Sequence, residues 1–244
     1  MNFSNIPAFL RRMLSMAAAS AVMASAFAQT PAEPPATQGV MFVGGSYRDG
    51  NPAAGLSGQM YVFYQIPAGY QPGRNGKWPI VMVHGSQQTG ANFLGTPDGR
   101  PGWAWYFLQR GWPVYVIDQP GHGKSGYVPE AYGAQAATPT VASVQSLFTA
   151  PELASKPAWP QAPLHTQWPG GRGSGTAGNA AFDEFMASQV ANMPEYKLAL
   201  PLTTQALGKL LDRIGPAILI THSMTGPVSW MVAQSNPGKI KAII

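Results

Sequence analysis

The sequence predicts an α/β fold in which a mainly parallel sheet is covered by helices on both faces. Strand-length apolar runs at residues 79–85, 113–118 and 217–221 lack polar alternation, which is typical of parallel strands buried on both sides. Segments with helical spacing of apolar residues separate these runs, and such alternation favours a sheet sandwiched between helices. The chain has 244 residues, of which 45% are hydrophobic, enough for one sizeable core.

Two further strands are expected ahead of the parallel ones. Residues 40–45 ("VMFVGG") and 59–67 ("QMYVFYQIP") are rich in Val, Phe and Tyr, and Gly, Pro and Asn residues separate them. This composition predicts leading antiparallel strands. A last strand, "KIKAII", follows one more helix at the end of the sequence.

Two long helical patterns lie between the strands. Residues 103–111 place Trp103, Tyr106 and Phe107 on one face and end in Arg110 and Gly111, a typical helix stop. The segment from residue 200 to 215 leads directly into the strand at 217–221. Its apolar residues at helical spacing are Leu202, Ala206, Leu207, Leu210, Leu211 and Ile214.

The alternation stops in a long insertion at about residues 127–199, which is rich in Pro, Gly, Ala and Trp. Residues 179–194 carry Phe182, Phe185, Met186 and Val190 at helical spacing, so part of this segment is expected to be a helix over an apolar surface. The insertion is either a surface elaboration or a cap over a pocket. The cap is favoured, because long insertions in compact folds are usually functional.

The N-terminus has the pattern of an export signal. Arg11 and Arg12 precede a short apolar run that ends Ala26-Phe27-Ala28, which predicts a signal peptide over residues 1–28. A membrane anchor is the alternative, but the run is short for a spanning helix, so no stable span is expected after cleavage. The Sec and twin-arginine routes both remain open, and either implies a periplasmic or secreted protein.

The predicted domain organisation continues with a Pro-rich linker at 29–38 and a core at 39–244. Cysteine is absent, and only 10% of residues are charged. Disulfide, zinc-thiolate and thiol chemistry are therefore excluded, and no nucleic-acid footprint is visible. Oligomeric state stays open.

The glycine-rich segment "DQPGHGKSG" superficially resembles a phosphate loop. The first glycine of that motif would fall at Asp118, and no helical run opens there as a dinucleotide site requires. No cofactor and no metal are predicted.

The stretch "AILITHSMTGPVSW" predicts a strand, a tight turn at Ser223 and a helix with Pro227 near its start. A serine on such a turn is exposed ahead of a helix N-terminus, as a nucleophile needs. A helix cap or a core hydroxyl is the alternative, because the small residues that flank a nucleophile are here Thr221 and Thr225. A second turn, at Gly85 and Ser86, follows an earlier strand. The N–H groups of Ser86 and Met224 could together bind an oxyanion.

The segments "HGSQQTG", "DQPGHGKS" and "THSMTG" occur in an order that resembles the α/β-hydrolase fold over about residues 56–244. The resemblance is strongest to a small group of secreted bacterial serine esterases with a Ser-His-Ser-x-Ser-Gly elbow, in which hydroxyl residues also replace the elbow glycines. It implies Ser223 as the nucleophile, Ser86 and Met224 as oxyanion donors, and an ester with an apolar group as substrate. The alternatives are an amidase or lactonase, or a non-catalytic binding module.

The same resemblance leaves the catalytic acid and histidine outside the sequence. In that group the acid follows the strand that ends this chain, and the histidine comes much later, so we expect a chain truncated before its last strands and inactive. The four histidines are His84, His122, His165 and His222. We expect His84 to brace its loop, His122 to lie two strands from the elbow and His222 to point away from Ser223; the position of His165 is not predictable. No acidic residue is a convincing partner.

Overall fold

The structure is a computed structural model that describes residues 37–244. The predicted signal peptide at 1–28 and the linker residues 29–36 lie outside the described residues. The strands are β1 (Thr37–Tyr47), β2 (Leu56–Ile66), β3 (Ile80–Val83), β4 (Val114–Asp118), β5 (Ala217–Thr221) and β6 (Ile240–Ile243).

These strands form one mixed sheet in the order β1-β2-β4-β3-β5-β6. The first two pairings along this order are antiparallel, and the remaining three are parallel. The predicted fold class, a mainly parallel sheet with leading antiparallel strands, is confirmed. Strand β4 lies two positions from β5 in this order, with β3 between them, so the loop after β4 is two strands from the turn after β5, as expected.

Strand β1 begins at Thr37, inside the segment predicted to be linker. Thr37 pairs with Ile66 and Gln38 with Gln65. Pairing with the long β2 strand thus extends β1 beyond the residues whose composition suggests a strand, because the ladder needs only backbone donors and acceptors.

The helices are α1 (Ala91–Leu94), α2 (Trp103–Leu108), α3 (Pro129–Tyr132), α4 (Val141–Val144), α5 (Ala180–Ala187), α6 (Tyr196–Ile214) and α7 (Gly226–Ser235). They cover both faces of the sheet. Residues of α6 and α7 pack with Val81 and Val83 of β3, whereas residues of α1 and α2 pack with Ile80 and Met82. Since side chains alternate across a strand, these are opposite faces.

Helix α6 is longer than its apolar pattern indicates and contains Pro201 in its second turn. Proline at this position cannot donate the hydrogen bond to the carbonyl oxygen of Lys197 that an α-helix interior normally contains. Helix α2 is shorter than predicted and ends at Leu108, with Gly111 at φ 78° closing the turn.

The insertion is mostly turns and short helices. Asn179 caps α5, its side-chain oxygen accepting hydrogen bonds from the N–H groups of Ala181 and Phe182. The helix ends at Ala187, so Val190 lies outside it. A helix within residues 179–194 was expected and is present, but Val190, which shares its apolar spacing, instead donates its N–H to the oxygen of Gln87 in the core. Among residues 37–244, no helix is both long and apolar enough to cross a membrane.

Candidate active site

Ser223 occupies the turn between β5 and α7 and is exposed. Its φ is 55°, in the left-handed region that costs a non-glycine residue about 1–2 kcal/mol. Backbone strain of this kind concentrates at functional sites, where the surrounding structure maintains it. The structure therefore gives Ser223 the sharp turn that a nucleophile elbow requires.

The register of the sheet brings a second turn against Ser223. Val83 at the end of β3 pairs with Thr221 at the end of β5, so the residues that follow each strand meet. A Cβ placed on Gly85 would lie 3.2 Å from the Cβ of Ser223 and 2.8 Å from Nδ1 of His222. Glycine at position 85 is thus required by this close approach.

The sharp backbone turn after β3 lies at Gln87. Gln87 has φ 58°, whereas Gly85 is not among the residues with positive φ. The sequence suggests that Gly85 supplies conformational freedom, but the structure shows that it supplies space. Gly226 lies one place beyond the usual elbow position. A Cβ placed on it would meet nothing within 4 Å, so it has no such role.

Thr225 joins the elbow to the end of β3. Its Oγ1 accepts a hydrogen bond from the N–H of His222 at 3.2 Å. The same hydroxyl has one proton to donate, and the carbonyl oxygens of His222, His84 and Val83 lie at 3.0, 3.2 and 3.3 Å. Thr225 is fully buried. A hydroxyl here links two turns that glycine at this position would leave unlinked.

The two predicted oxyanion donors follow these turns directly. Ser86 comes after Gly85, and Met224 comes after Ser223. Within residues 37–244, neither main-chain N–H donates to a protein acceptor, so both remain available to a substrate oxygen. The hydroxyl of Ser86 accepts a hydrogen bond from Nδ2 of Asn192 at 3.1 Å, which holds the loop from the insertion side.

His84 braces this loop, as expected. Its Nδ1 lies 2.8 Å from the oxygen of Gly85, and its Nε2 accepts a hydrogen bond from the N–H of Gln119 at 3.0 Å. Burial, with a smaller contribution from His122, lowers the pKa of His84 to about 3. The imidazole is therefore neutral at physiological pH, and both of its nitrogens are engaged.

His122 lies beneath the same loop. Its ring meets that of His84 edge to face, with centroids 5.1 Å apart, and burial lowers its pKa. The neighbouring carboxylate of Asp118 accepts hydrogen bonds from the N–H groups of Gly90 and Lys124, both at 2.8 Å. Asp118 thus braces the two loops that follow β3 and β4.

His165 lies in the insertion and pairs with Glu152. Its Nδ1 is 2.9 Å from Oε2 of Glu152, whose side chain is fully buried. Burial by itself raises the pKa of Glu152, but hydrogen bonds from the Gly173 N–H and from His165 outweigh it and lower the pKa. The pairing was not predictable, because these residues lie in irregular backbone without a periodic pattern.

The side chain of His222 is exposed and rests against Gly85. Within the described part of the chain, no histidine forms a hydrogen bond with the hydroxyl of Ser223. The structure therefore brings Ser223, Ser86 and Met224 together, but it places none of the four histidines in contact with the Ser223 hydroxyl.

Sequence reasoning missed three residues that support the site: Thr225 as a hydrogen-bonding group, Gln119 and Asn192. Gln119 contacts His84, and Asn192 contacts Ser86. The hydrogen-bonding role of Thr225 could have been predicted, because a hydroxyl residue stands there in place of an elbow glycine. Gln119 and Asn192 carry no comparable sequence signal.

Comparison with protein-family models and solved structures gives three findings. No protein-family model matches the chain. A solved structure described as a novel bacterial esterase superposes with a TM-score of 0.64 at 30% identity, covering 88% of this chain and 69% of the esterase. An α/β hydrolase from Novosphingobium aromaticivorans superposes with a TM-score of 0.42 at 14% identity, covering 84% of this chain and 42% of that one.

A curated relative is the probable secreted lipase phiG of Fungal sp. (strain ATCC 74256). It is 42% identical over 167 residues, which are 68% of this chain and 44% of the lipase. The chain thus spans less than half the length of this relative.

Proposed function

The chain belongs to the α/β-hydrolase family, and we propose that it is built for ester hydrolysis through an acyl-serine intermediate, with Ser223 as the nucleophile. The observation that carries this proposal is the left-handed backbone of an exposed Ser223 set directly against the turn at Gly85. That arrangement exposes a hydroxyl beside free N–H donors. The names of the two relatives, an esterase and a secreted lipase, support an ester as the substrate.

The main-chain N–H groups of Ser86 and Met224 are proposed to form the oxyanion hole. Attack by the Ser223 hydroxyl on an ester carbonyl forms a C–O bond, releases the hydroxyl proton to solvent water, which later protonates the leaving alkoxide, and places negative charge on the carbonyl oxygen. Two N–H donors stabilise that charge more strongly than they stabilise the neutral carbonyl. Collapse of this intermediate expels the alcohol and leaves an acyl group on Ser223, which water then hydrolyses.

A proton acceptor for the Ser223 hydroxyl is not provided by the histidines whose nitrogens are already hydrogen-bonded. His84 is buried and held neutral with both nitrogens engaged, and His165 is held by Glu152. We therefore propose that none of the four histidines is the general base and that the 244-residue chain turns over esters only at trace rates. The signal peptide at 1–28, export to the periplasm or medium, and a cap at about 127–199 are part of the same proposal.

The test measures acylation of Ser223 separately from turnover. The chain is incubated with p-nitrophenyl butyrate or a fluorophosphonate, and peptides are analysed by mass spectrometry. We expect an adduct to form slowly on Ser223, because no histidine activates its hydroxyl, with none in Ser223→Ala and no sustained release of p-nitrophenol. Ser86→Ala is the matched control, because it retains the N–H proposed to bind the oxyanion.

Two outcomes contradict the proposal. An adduct at another residue, or none at all, excludes Ser223 as the nucleophile. Rapid turnover that disappears in His165→Ala or His222→Ala shows that a resident histidine is the base.

A non-catalytic binding module is the second candidate, and the absence of a histidine bonded to Ser223 within the described residues favours it. Such a module binds N-benzylacetamide, a neutral amide analogue of an ester, but forms no Ser223 adduct. An amidase or lactonase of the same fold is separated by comparing p-nitroanilides and lactones with the p-nitrophenyl ester.

A further inference from the structure

We propose that the cleft between α1 and α5 binds an uncharged aryl group of the substrate; that this group belongs to an ester rests on the proposed function. The cleft has a volume of about 380 Å³, within the range of about 300–1,000 Å³ found for small-molecule sites. One wall comes from the core, at α1 and the loop that follows it. The other comes from the insertion, at Trp168 and α5. The lining residues are Ala91, Asn92, Gly95, Thr96, Pro97, Trp168, Glu184, Phe185 and Ser188.

The cleft adjoins the proposed oxyanion loop on both sides. On the core side, the side chain of Asn92 donates a hydrogen bond to Oε1 of Gln88 at 2.8 Å. On the insertion side, the N–H of Val190, just beyond α5, donates to the oxygen of Gln87 at 2.8 Å. The segment that holds Ser86 therefore also ties the two walls together. The cleft therefore lies beside the loop that carries Ser86.

The aromatic residues of the cleft favour a ring. The rings of Trp168 and Phe185 meet edge to face, with centroids 5.7 Å apart and an interplanar angle of 84°. Aromatic groups prefer such geometry, so a further ring is stabilised beyond simple burial. Ala91, Gly95 and Pro97 are small or apolar and leave room opposite.

Charge in the cleft disfavours an anionic ring. Glu184 is the one ionisable residue among those that line it, and no lysine or arginine of the lining set offsets its charge. A carboxylate placed on the ring would lose solvation and gain no cationic partner. The cleft should therefore discriminate between neutral and anionic rings of equal size.

Binding is measured by isothermal titration calorimetry with non-ester probes, so that the readout is independent of turnover. N-benzylacetamide supplies a neutral ring, N-hexylacetamide supplies a linear chain, and 4-(acetamidomethyl)benzoate supplies an anionic ring. We expect the neutral ring to bind at least tenfold more tightly than either of the other two.

Ser188→Trp fills the cleft from an exposed position and should weaken N-benzylacetamide at least tenfold. The matched control is Gln234→Trp, which adds the same side chain at an exposed position of α7 and should leave binding unchanged. Glu184→Gln should strengthen the anionic probe severalfold and leave the neutral one unchanged.

The outcomes separate this inference from the proposed function. Loss of N-benzylacetamide binding in Ser188→Trp, with no adduct on Ser223, supports the cleft and contradicts the esterase mechanism. The cleft proposal is overturned if no binding is detected, if Ser188→Trp has no effect, or if the linear probe binds as tightly as the ring. Each of these three outcomes overturns the cleft proposal whether or not Ser223 is acylated.

Discussion

The hydroxyl of Thr225 lies 3.2 Å from the main-chain oxygen of His84, 141 positions earlier in the sequence. This contact joins the turn that carries Ser223 to the turn that carries Ser86. The position of Ser223 relative to Ser86 and Met224 therefore depends on a threonine where a nucleophile elbow usually has glycine.

Replacing Thr225 by Val should destabilise the protein by about 1–3 kcal/mol, because the near-isosteric side chain removes the hydroxyl and leaves buried polar groups unpaired. The free energy of unfolding in urea measures the effect. Thr225→Ser is the control, since it keeps the hydroxyl, and should recover most of the loss. Equal stability of the Val variant and the original protein would contradict this role.

Replacing Gly85 by Ala should cost about 1–3 kcal/mol, because the added methyl group overpacks a site already in contact with Ser223 and His222. Ser223 labelling by the fluorophosphonate should slow in parallel. Gly226→Ala is the matched control: its Cβ meets nothing within 4 Å, and in a helix the change is neutral or stabilising by about 0.4–1 kcal/mol. Similar effects at the two glycines would exclude the steric explanation.

The Ser223→Gly variant should have a free energy of unfolding about 1 kcal/mol higher than that of Ser223→Ala. Both variants lack the hydroxyl, and only glycine tolerates a left-handed backbone without strain. Urea unfolding of Ser223→Gly and Ser223→Ala measures the difference. The same pair at Ser235, in the last turn of α7, should show the opposite order. If Ala were preferred at both positions, Ser223 would not be strained.

Stability should fall as the pH decreases below about 6.5, where histidine in the unfolded chain takes up a proton. The native state keeps His84 neutral down to a pKa of about 3, and burial also lowers the pKa of His122. The unfolded state thus binds more protons across this window, which costs up to about 1.4 kcal/mol per pH unit for each histidine.

Urea unfolding between pH 7.5 and 5 measures this slope. His122→Phe keeps a ring of similar shape and removes one buried titrating group, so it should reduce the slope. A stability that is constant over this range, or a slope unchanged in the variant, would contradict the assignment of a buried neutral pair.

Much of the sheet could be predicted from sequence because its central strands are continuous apolar runs. β3, β4 and β5 were identified to within a few residues for this reason, and β5 coincides with the predicted residues 217–221. Boundaries failed where tertiary pairing determines them, as at Thr37, which joins β1 through Ile66. Val190 was assigned to a helix on spacing alone, whereas its N–H bonds to Gln87 of the core.

The sequence by itself determined the fold class and predicted Ser223 as a candidate nucleophile, because a strand, turn and helix pattern is local. Only the tertiary structure decided what surrounds that serine. The pairing of Val83 with Thr221 brings Gly85 against Ser223 and the carbonyl of His84 within reach of Thr225. The cleft between α1 and α5 likewise arises from segments about 90 positions apart. Such contacts depend on strand register and helix packing, which no local pattern of residues encodes.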